Sequence, residues 1–169
     1  VLAKLAVREL DRLLDYQDYT IPAAKNASLA CRTLGIGVIN YAYYLAKNGL
    51  YYSNGSANNL THRTFEAIQY YLLKATNLLA KEQGACPKFN ETRLSQGILP
   101  IDTYKKTIDD ITGEPLHLDW ESLRANIKEF GVRNSTVSAL MPSETSSQIS
   151  NATNLTLKHI LRRRPHAGS

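Results

Sequence analysis

The chain has 169 residues, with 20 Lys+Arg against 15 Asp+Glu for a formal net charge of +5, and is 43% hydrophobic and 21% charged. That balance excludes collagen-like, mucin-like and disordered classes, which lack the apolar content for a core. No run approaches the roughly 18 to 20 apolar residues of a membrane span, nothing resembles a secretory leader, and Cys31 and Cys86 form neither a disulfide framework nor a CxxC pair, so a reducing, cytoplasmic setting is expected.

In chain order, Leu2, Leu5, Ala6, Leu10, Leu13 and Leu14 share a helical stripe, which predicts an amphipathic helix over residues 1–16. It starts without a cap, as an excised piece does. Pro22 then interrupts, and a polar connection is expected through Lys25 and Asn26. Gly35-Ile-Gly37 is superficially like a nucleotide fingerprint, but it lacks the third glycine and a preceding apolar strand, so a tight turn or close helix packing is expected. Ile39, Tyr41, Ala42, Tyr44 and Leu45 predict a helix closed near Gly49, followed by turn chemistry at residues 53–56.

Phe65, Ile68, Leu72, Ala75 and Leu79 recur at three- and four-residue steps, which predicts a long helix over 56–83 stopped by Gly84. On it, Glu66 and Glu82 read as a solvated face. Two prolines and Gly97 make residues 85–100 an ordered loop, and a short helix is expected over 103–111. Asp119 is an N-cap for a helix with Trp120, Leu123, Ile127 and Phe130 on one face, ended by Gly131. Val137, Ala139 and Met141 alternate with polar neighbours over 135–141, a strand candidate spoiled by Leu140 and ended by Pro142. A further helix is expected from Ser143 to about Thr153.

The charge is concentrated in the tail. Residues 155–169 hold Lys158, Arg162, Arg163 and Arg164 with no acid, leaving the body near neutral although the overall pI is about 9.2. Nucleic-acid binding by the body is not expected, since its electrostatic drive is missing. The four histidines, His62, His117, His159 and His166, lack metal-ligand spacing. The paired tyrosines read as rings buried against the core with wet hydroxyls. The sequons at Asn26, Asn134 and Asn151 have no leader to make them acceptors.

The most informative segment is Val137-Ser-Ala-Leu-Met-Pro-Ser-Glu-Thr-Ser-Ser-Gln148. A strand ending at Pro142 and a helix starting within four residues place Ser143, Glu144, Thr145 and Ser146 at a helix N-terminus. Unpaired backbone N–H groups and the positive end of the macrodipole make that an anion site, with hydroxyls as added donors. Glu144 would serve through its backbone N–H, since its carboxylate repels a phosphate. The same residues also fit a helix start that serves only itself.

Several long segments resemble the large, catalytic subunit of class I ribonucleotide reductase: Arg32-Thr-Leu-Gly-Ile-Gly-Val-Ile-Asn40, Tyr43-Tyr-Leu-Ala-Lys47, Ser53-Asn-Gly-Ser-Ala-Asn-Asn-Leu-Thr-His62, Phe65-Glu-Ala-Ile-Gln-Tyr-Tyr-Leu-Leu-Lys74, Ala80-Lys-Glu-Gln-Gly-Ala-Cys-Pro87, and Arg133 to Thr136 leading into residues 141–154. The resemblance implies an α/β fold, a helix-rich part of the second half of a ten-stranded α/β barrel. It divides the chain into a barrel part over 1–154 and a basic, non-family, disordered tail over 155–169. It implies reduction of ribonucleoside diphosphates to deoxyribonucleoside diphosphates for DNA synthesis by thiyl-radical chemistry. The partners implied are the nucleoside diphosphate, the remaining large-subunit segments and a small subunit carrying the radical metal cofactor; a thioredoxin- or glutaredoxin-type reductant supplies the electrons.

Carried over residue by residue, the resemblance assigns the substrate diphosphate to Ser143, Glu144, Thr145 and Ser146. The finger-loop cysteine and the redox cysteines lie upstream of Val1 in family order, so Cys31 and Cys86 receive no catalytic role. The chain is expected to hold no catalytic residue, metal or cofactor of its own and to be inactive alone. The rival expectation is a non-enzymatic helical module that binds through its basic tail.

Overall fold

The computed structural model describes residues 1–142 together with Ser147 and Gln148. These fall into two units: one of Val1–Ile36 with Asn58–Leu140, the other of Gly37–Ala57 with the described residues after Leu140.

The first unit is built on two helices. Helix α1 (Leu2–Tyr16) turns Val7 and Asp11 fully inward, with Ala3, Leu10 and Leu14 packed beside them. It lies along α4 (Asn58–Gln83), whose 26 residues bury Tyr70, Leu72, Leu73, Ala75 and Leu79. Gly84 follows in the left-handed region at φ 85°, its N–H donating to Ala80 O at 2.8 Å, a stop that glycine takes without a Cβ penalty.

Between α1 and the extended run at Leu34 the sequence reading needs correction. Pro22 opens a helix, α2 (Pro22–Cys31), instead of interrupting one. Proline at the first helical position loses an N–H that has no intrahelical acceptor, and Ile21 before it is extended. α2 buries no residue, and its small side chains, mostly alanine, mark no inward face. Arg32 closes it in the left-handed conformation (φ 47°, ψ 47°).

After Gly84 the chain makes three short 3₁₀ turns, Phe89–Glu91, Arg93–Gln96 and Pro100–Asp102, the last held by Leu99 N–H donating to the Asp102 carboxylate at 2.7 Å. The short helix α5 covers Thr107–Thr112. Asp119 caps α6 (Trp120–Phe130) by accepting from Ser122 N–H at 3.0 Å. Trp120, Leu123 and Ile127 are buried, whereas Phe130 lies at the surface beneath Lys81 Nζ, 4.1 Å from the ring centroid.

The strand expected over 135–141 is reduced to one parallel bridge between Ile36 and Ser138. Leu34 N–H donates to Thr136 O at 2.8 Å, Ile36 N–H to Val137 O at 3.0 Å, and Ala139 N–H to Ile36 O at 3.1 Å. Parallel pairing is found almost only in sheets buried on both faces, and among the described residues this is the only β pairing. Gly35 therefore stands in extended backbone, not in a turn or against a helix: a Cβ there would meet Ala139 Cβ at 3.4 Å.

In the second unit, α3 (Tyr41–Lys47) buries Leu45 and ends before Gly49, at φ 68°. The turn after it is held by Ser56, whose Oγ accepts from Tyr51 N–H and whose own N–H donates to Asn54 Oδ1, both at 3.0 Å. Tyr43, Tyr44, Tyr51 and Tyr52 are all exposed, so the ring-buried reading holds for Tyr70 and not for these.

Candidate functional site

The run from Val132 to Leu140 leads into the predicted anion loop, and the structure shows what fixes it. Val132 and Val137 are buried, with Val132 wholly enclosed. Asn134 is fully buried, and Asn134 N–H donates to Thr76 Oγ1 at 2.8 Å, while Thr76 Oγ1 in turn donates to Asn134 Oδ1 at 2.9 Å. Asn134 Nδ2 donates to Asp11 Oδ1 at 2.7 Å and to Arg32 O at 3.0 Å. Arg133 N–H reaches Thr76 O at 3.2 Å and Ser135 N–H reaches Cys31 O at 3.0 Å. The segment is thus clamped by α1, α4 and the end of α2. A buried, bonded Asn134 also has no amide free for a glycan.

Arg32 is the hinge of this network. Its Nε donates to Asp11 Oδ1 at 2.7 Å, its Nη2 to Asp11 O at 2.8 Å, and its guanidinium grips both oxygens of Asp15 at 2.7 and 2.8 Å. Bidentate Arg–carboxylate pairing of this kind is among the stronger hydrogen-bonding arrangements in proteins. The bonds to Asp15 and Asp11 push the guanidinium pKa further up, and the same bond holds Asp15 below the usual carboxylate range. With Arg133 also within 3.4 Å of Asp11, two cations face two carboxylates. The cluster is charge-balanced, so it supports the backbone and offers no surplus positive charge to an anion.

Beside the same run lies a cleft of about 250 Å³ lined by Gln69, Leu73, Leu99, Thr103, Thr136 and Ser138, among others. Several of its polar groups are engaged: Ser138 Oγ donates to Gln69 Oε1 at 2.6 Å, and Thr103 Oγ1 donates to Pro100 O at 3.0 Å. The cleft is lined by hydroxyls and apolar groups, with no His, Cys, Asp, Glu or Lys to activate them.

Ser143, Glu144, Thr145 and Ser146, the predicted diphosphate-binding residues, lie outside the described residues, as do residues 149–169 with the predicted tail. Just beyond the loop, Ser147 is helical and buried. Cys86 is buried, and burial pushes its thiol pKa up, with Cys31 adding to the shift, which favours the protonated thiol over the nucleophilic thiolate. Among the described residues no group of three His, Cys, Asp or Glu could hold a metal ion.

Two features escaped the sequence reading. Glu66 is not on a solvated face: it is buried, and its Oε1 accepts from His117 N–H, Leu118 N–H and Trp120 Nε1 at 2.8, 2.9 and 3.0 Å. Glu82 does remain at the surface, paired with Arg8. The Asp11–Arg32–Asn134 cluster also went unread. Its signal was present, since Asp11 stands four residues after Val7 on the inward stripe of α1, where a lone charge implies a buried partner.

The chain belongs to the ribonucleotide reductase barrel-domain family, which it matches over residues 2–157. Among its relatives, the ribonucleoside-diphosphate reductase subunit alpha of Haemophilus influenzae is 77% identical over 149 residues, covering 88% of this chain and 20% of the relative. Ribonucleoside-diphosphate reductase 1 subunit alpha of Escherichia coli is 77% identical over 141 residues, covering 83% of this chain and 18% of the relative. The enterobacteria phage T4 subunit alpha is 53% identical over 153 residues, 90% of this chain and 20% of the relative. The chain therefore spans about a fifth of the length of the curated relatives it matches.

Proposed function

We propose that this chain is a segment of the catalytic subunit of a ribonucleoside-diphosphate reductase, and that it supplies the substrate-diphosphate loop together with part of the second half of the barrel. The observation that carries the reading is 77% identity to a subunit alpha across 88% of the chain. The loop assignment to Ser143, Glu144, Thr145 and Ser146 is supported by its chemistry: hydroxyls and backbone N–H groups at the start of a helix suit phosphate oxygens. The division into a barrel part over 1–154 and a tail over 155–169 belongs to the same reading.

In this reading the clamped run 132–140 holds the loop's entry in place, and the loop binds and orients the diphosphate. The radical comes from a metal centre in a separate small subunit, and a thioredoxin- or glutaredoxin-type protein supplies electrons. The thiyl and redox cysteines belong to other segments of the subunit, so the isolated chain has no reductase activity. Among the described residues no helix is long and apolar enough to cross a membrane, and a cytoplasmic site of action fits the chemistry.

The test is complementation. The chain is mixed with the remaining pieces of a subunit alpha, the small subunit and a reductant, and formation of deoxyribonucleoside diphosphate is measured. Activity in the complete mixture and in no subset is expected, and a folded, complete mixture without activity defeats the reading. Replacing Ser143, Thr145 and Ser146 together by alanine should raise KM for the diphosphate.

A further inference from the structure

Asn48-Gly49 and Asn54-Gly55 are the two Asn-Gly steps of the chain. Glycine has no Cβ to shield its backbone nitrogen, so an asparagine before it is open to attack on its side-chain carbonyl by the next residue's amide. Both asparagines are exposed, and both glycines have positive φ, 68° at Gly49 and 73° at Gly55. Exposure and backbone conformation therefore do not distinguish the two steps. Their hydrogen bonds do.

Asn48 closes α3. Its Nδ2 donates to Tyr44 O at 2.8 Å and its N–H to Leu45 O at 3.0 Å. Gly49 N–H is itself occupied by Ala46 O at 3.0 Å. Side-chain amide and attacking nitrogen are both tied to the helix end, so attack must wait for that end to open. At Asn54 the arrangement is reversed. Asn54 Oδ1 accepts from Ser56 N–H at 3.0 Å, an Asx turn that folds the side chain back along the Gly55 peptide. Ser56 is fixed in turn, its Oγ accepting from Tyr51 N–H at 3.0 Å and donating to Tyr51 O at 3.4 Å. Among the described residues Gly55 N–H has no acceptor. The nucleophile is free, the carbonyl is held beside it, and Ser56 N–H stands where negative charge gathers on Oδ1 during attack.

We propose that Asn54 is a site of spontaneous deamidation in the folded chain, and that the end of α3 protects Asn48. Gly55 N bonds to Asn54 Cγ, the Cγ–Nδ2 bond breaks, and ammonia leaves with the proton of the Gly55 amide. Water then opens the cyclic imide at either carbonyl, giving aspartate or isoaspartate, with nothing oxidised or reduced. Each event removes one from the formal net charge of +5. The aspartate product keeps an oxygen for Ser56 N–H and with it the turn. The isoaspartate product lengthens the backbone by one carbon and displaces the acceptor.

The full chain is incubated at neutral pH in buffer and, in parallel, unfolded in guanidinium chloride. Samples taken at intervals are digested, and mass spectrometry reads the amide-to-acid conversion at each asparagine. In the folded chain Asn54 should convert about tenfold faster than Asn48 or more, and in guanidinium the two rates should converge to within about twofold. Equal rates in the folded chain, or faster conversion of Asn48, overturn the proposal. So does a folded chain that leaves Asn54 intact while the unfolded chain converts it. The same gap persisting in guanidinium also overturns it, since the cause would then lie in the neighbouring residues and not in the turn. A second readout is charge: isoelectric focusing of the parent should develop a more acidic band, and the Asn54→Asp variant should develop none over the same time. A band of equal intensity in both places the modification elsewhere and sinks the assignment.

Discussion

Asp11 Oδ1 accepts from Arg32 Nε and from Asn134 Nδ2, both at 2.7 Å. One buried oxygen thereby joins the first helix to residues 21 and 123 positions further along the chain. Replacing Asp11 by alanine removes the buried carboxylate facing Arg32 Nε and leaves the guanidinium only Asp15 and the carbonyl of residue 11, which should cost about 3–5 kcal/mol. Asn134→Ala removes one amide from the same cluster and should cost about 1–3 kcal/mol. Urea denaturation of both single variants and the double variant should show a cost well below additive, because the residues share partners.

Acid should weaken the chain in part through Asp15. Its folded-state pKa lies below the ordinary value because Arg32 donates to it. The stability this contributes is therefore fully present above the unfolded value of about 3.9 and is lost as pH falls through the folded value. Thermal melts of Asp15→Asn and the parent chain should differ most near neutral pH and converge in strong acid. A gap that persists at the lowest pH would contradict the assignment.

Glu66 has an optical reporter beside it, since Trp120 is the single tryptophan of the chain and its indole N–H donates to Glu66. Glu66→Ala strands three N–H groups and should cost about 2–4 kcal/mol, with a shift in tryptophan emission. Glu66→Gln keeps an acceptor oxygen with two lone pairs for the three donors, so it should lose less stability than the alanine variant and shift the emission less.

Two helix-ending glycines should separate strain from crowding. At Gly84, φ 85° with open space around it, alanine meets only the left-handed penalty of about 1–2 kcal/mol. At Gly131, φ 74° and ψ −165°, the new Cβ would lie 2.7 Å from Ala85 Cβ in a backbone region that is essentially glycine's own. Gly131→Ala should be the worse of the pair by at least about 1 kcal/mol in chemical denaturation.

Cys86 is buried with its thiol pKa raised, whereas Cys31 is partly accessible. A disulfide dye should label Cys31 first in the native chain, with Cys86 reacting at the rate of structural opening. Equal rates would mean that the segment around Cys86 opens freely.

The sequence was legible where pattern and punctuation agreed. The bounds of α1, α4 and α6 followed from apolar spacing, the Asp119 cap, and Gly84 and Gly131 as stops. α2 was missed because it buries nothing, so no apolar period marks it, and because Pro22 was weighed as a breaker when its place was the first helical position. The burial of Glu66 and of Asp11 is hidden in the sequence for one shared reason. Their acceptors and donors come from segments remote in sequence, and a charged residue displays its own polarity but not its partner's. The 135–141 run shows the limit from the other side: alternation specifies a face, and a strand also needs neighbours to pair with.

The parallel bridge and the Asp11 cluster also set an order of events during synthesis. Ile36 meets its partner only when Ser138 is available, and Asp11 waits for Asn134 across 123 positions. At about 5–20 residues per second, the ribosome needs roughly 6–25 s to supply that partner. Through that interval α1 must hold its aspartate without Asn134, and the exposed Leu2, Leu5, Leu13 and Tyr16 of the same helix stay open to whatever chain or chaperone is nearest. The end of this segment is thus the clasp that closes its beginning.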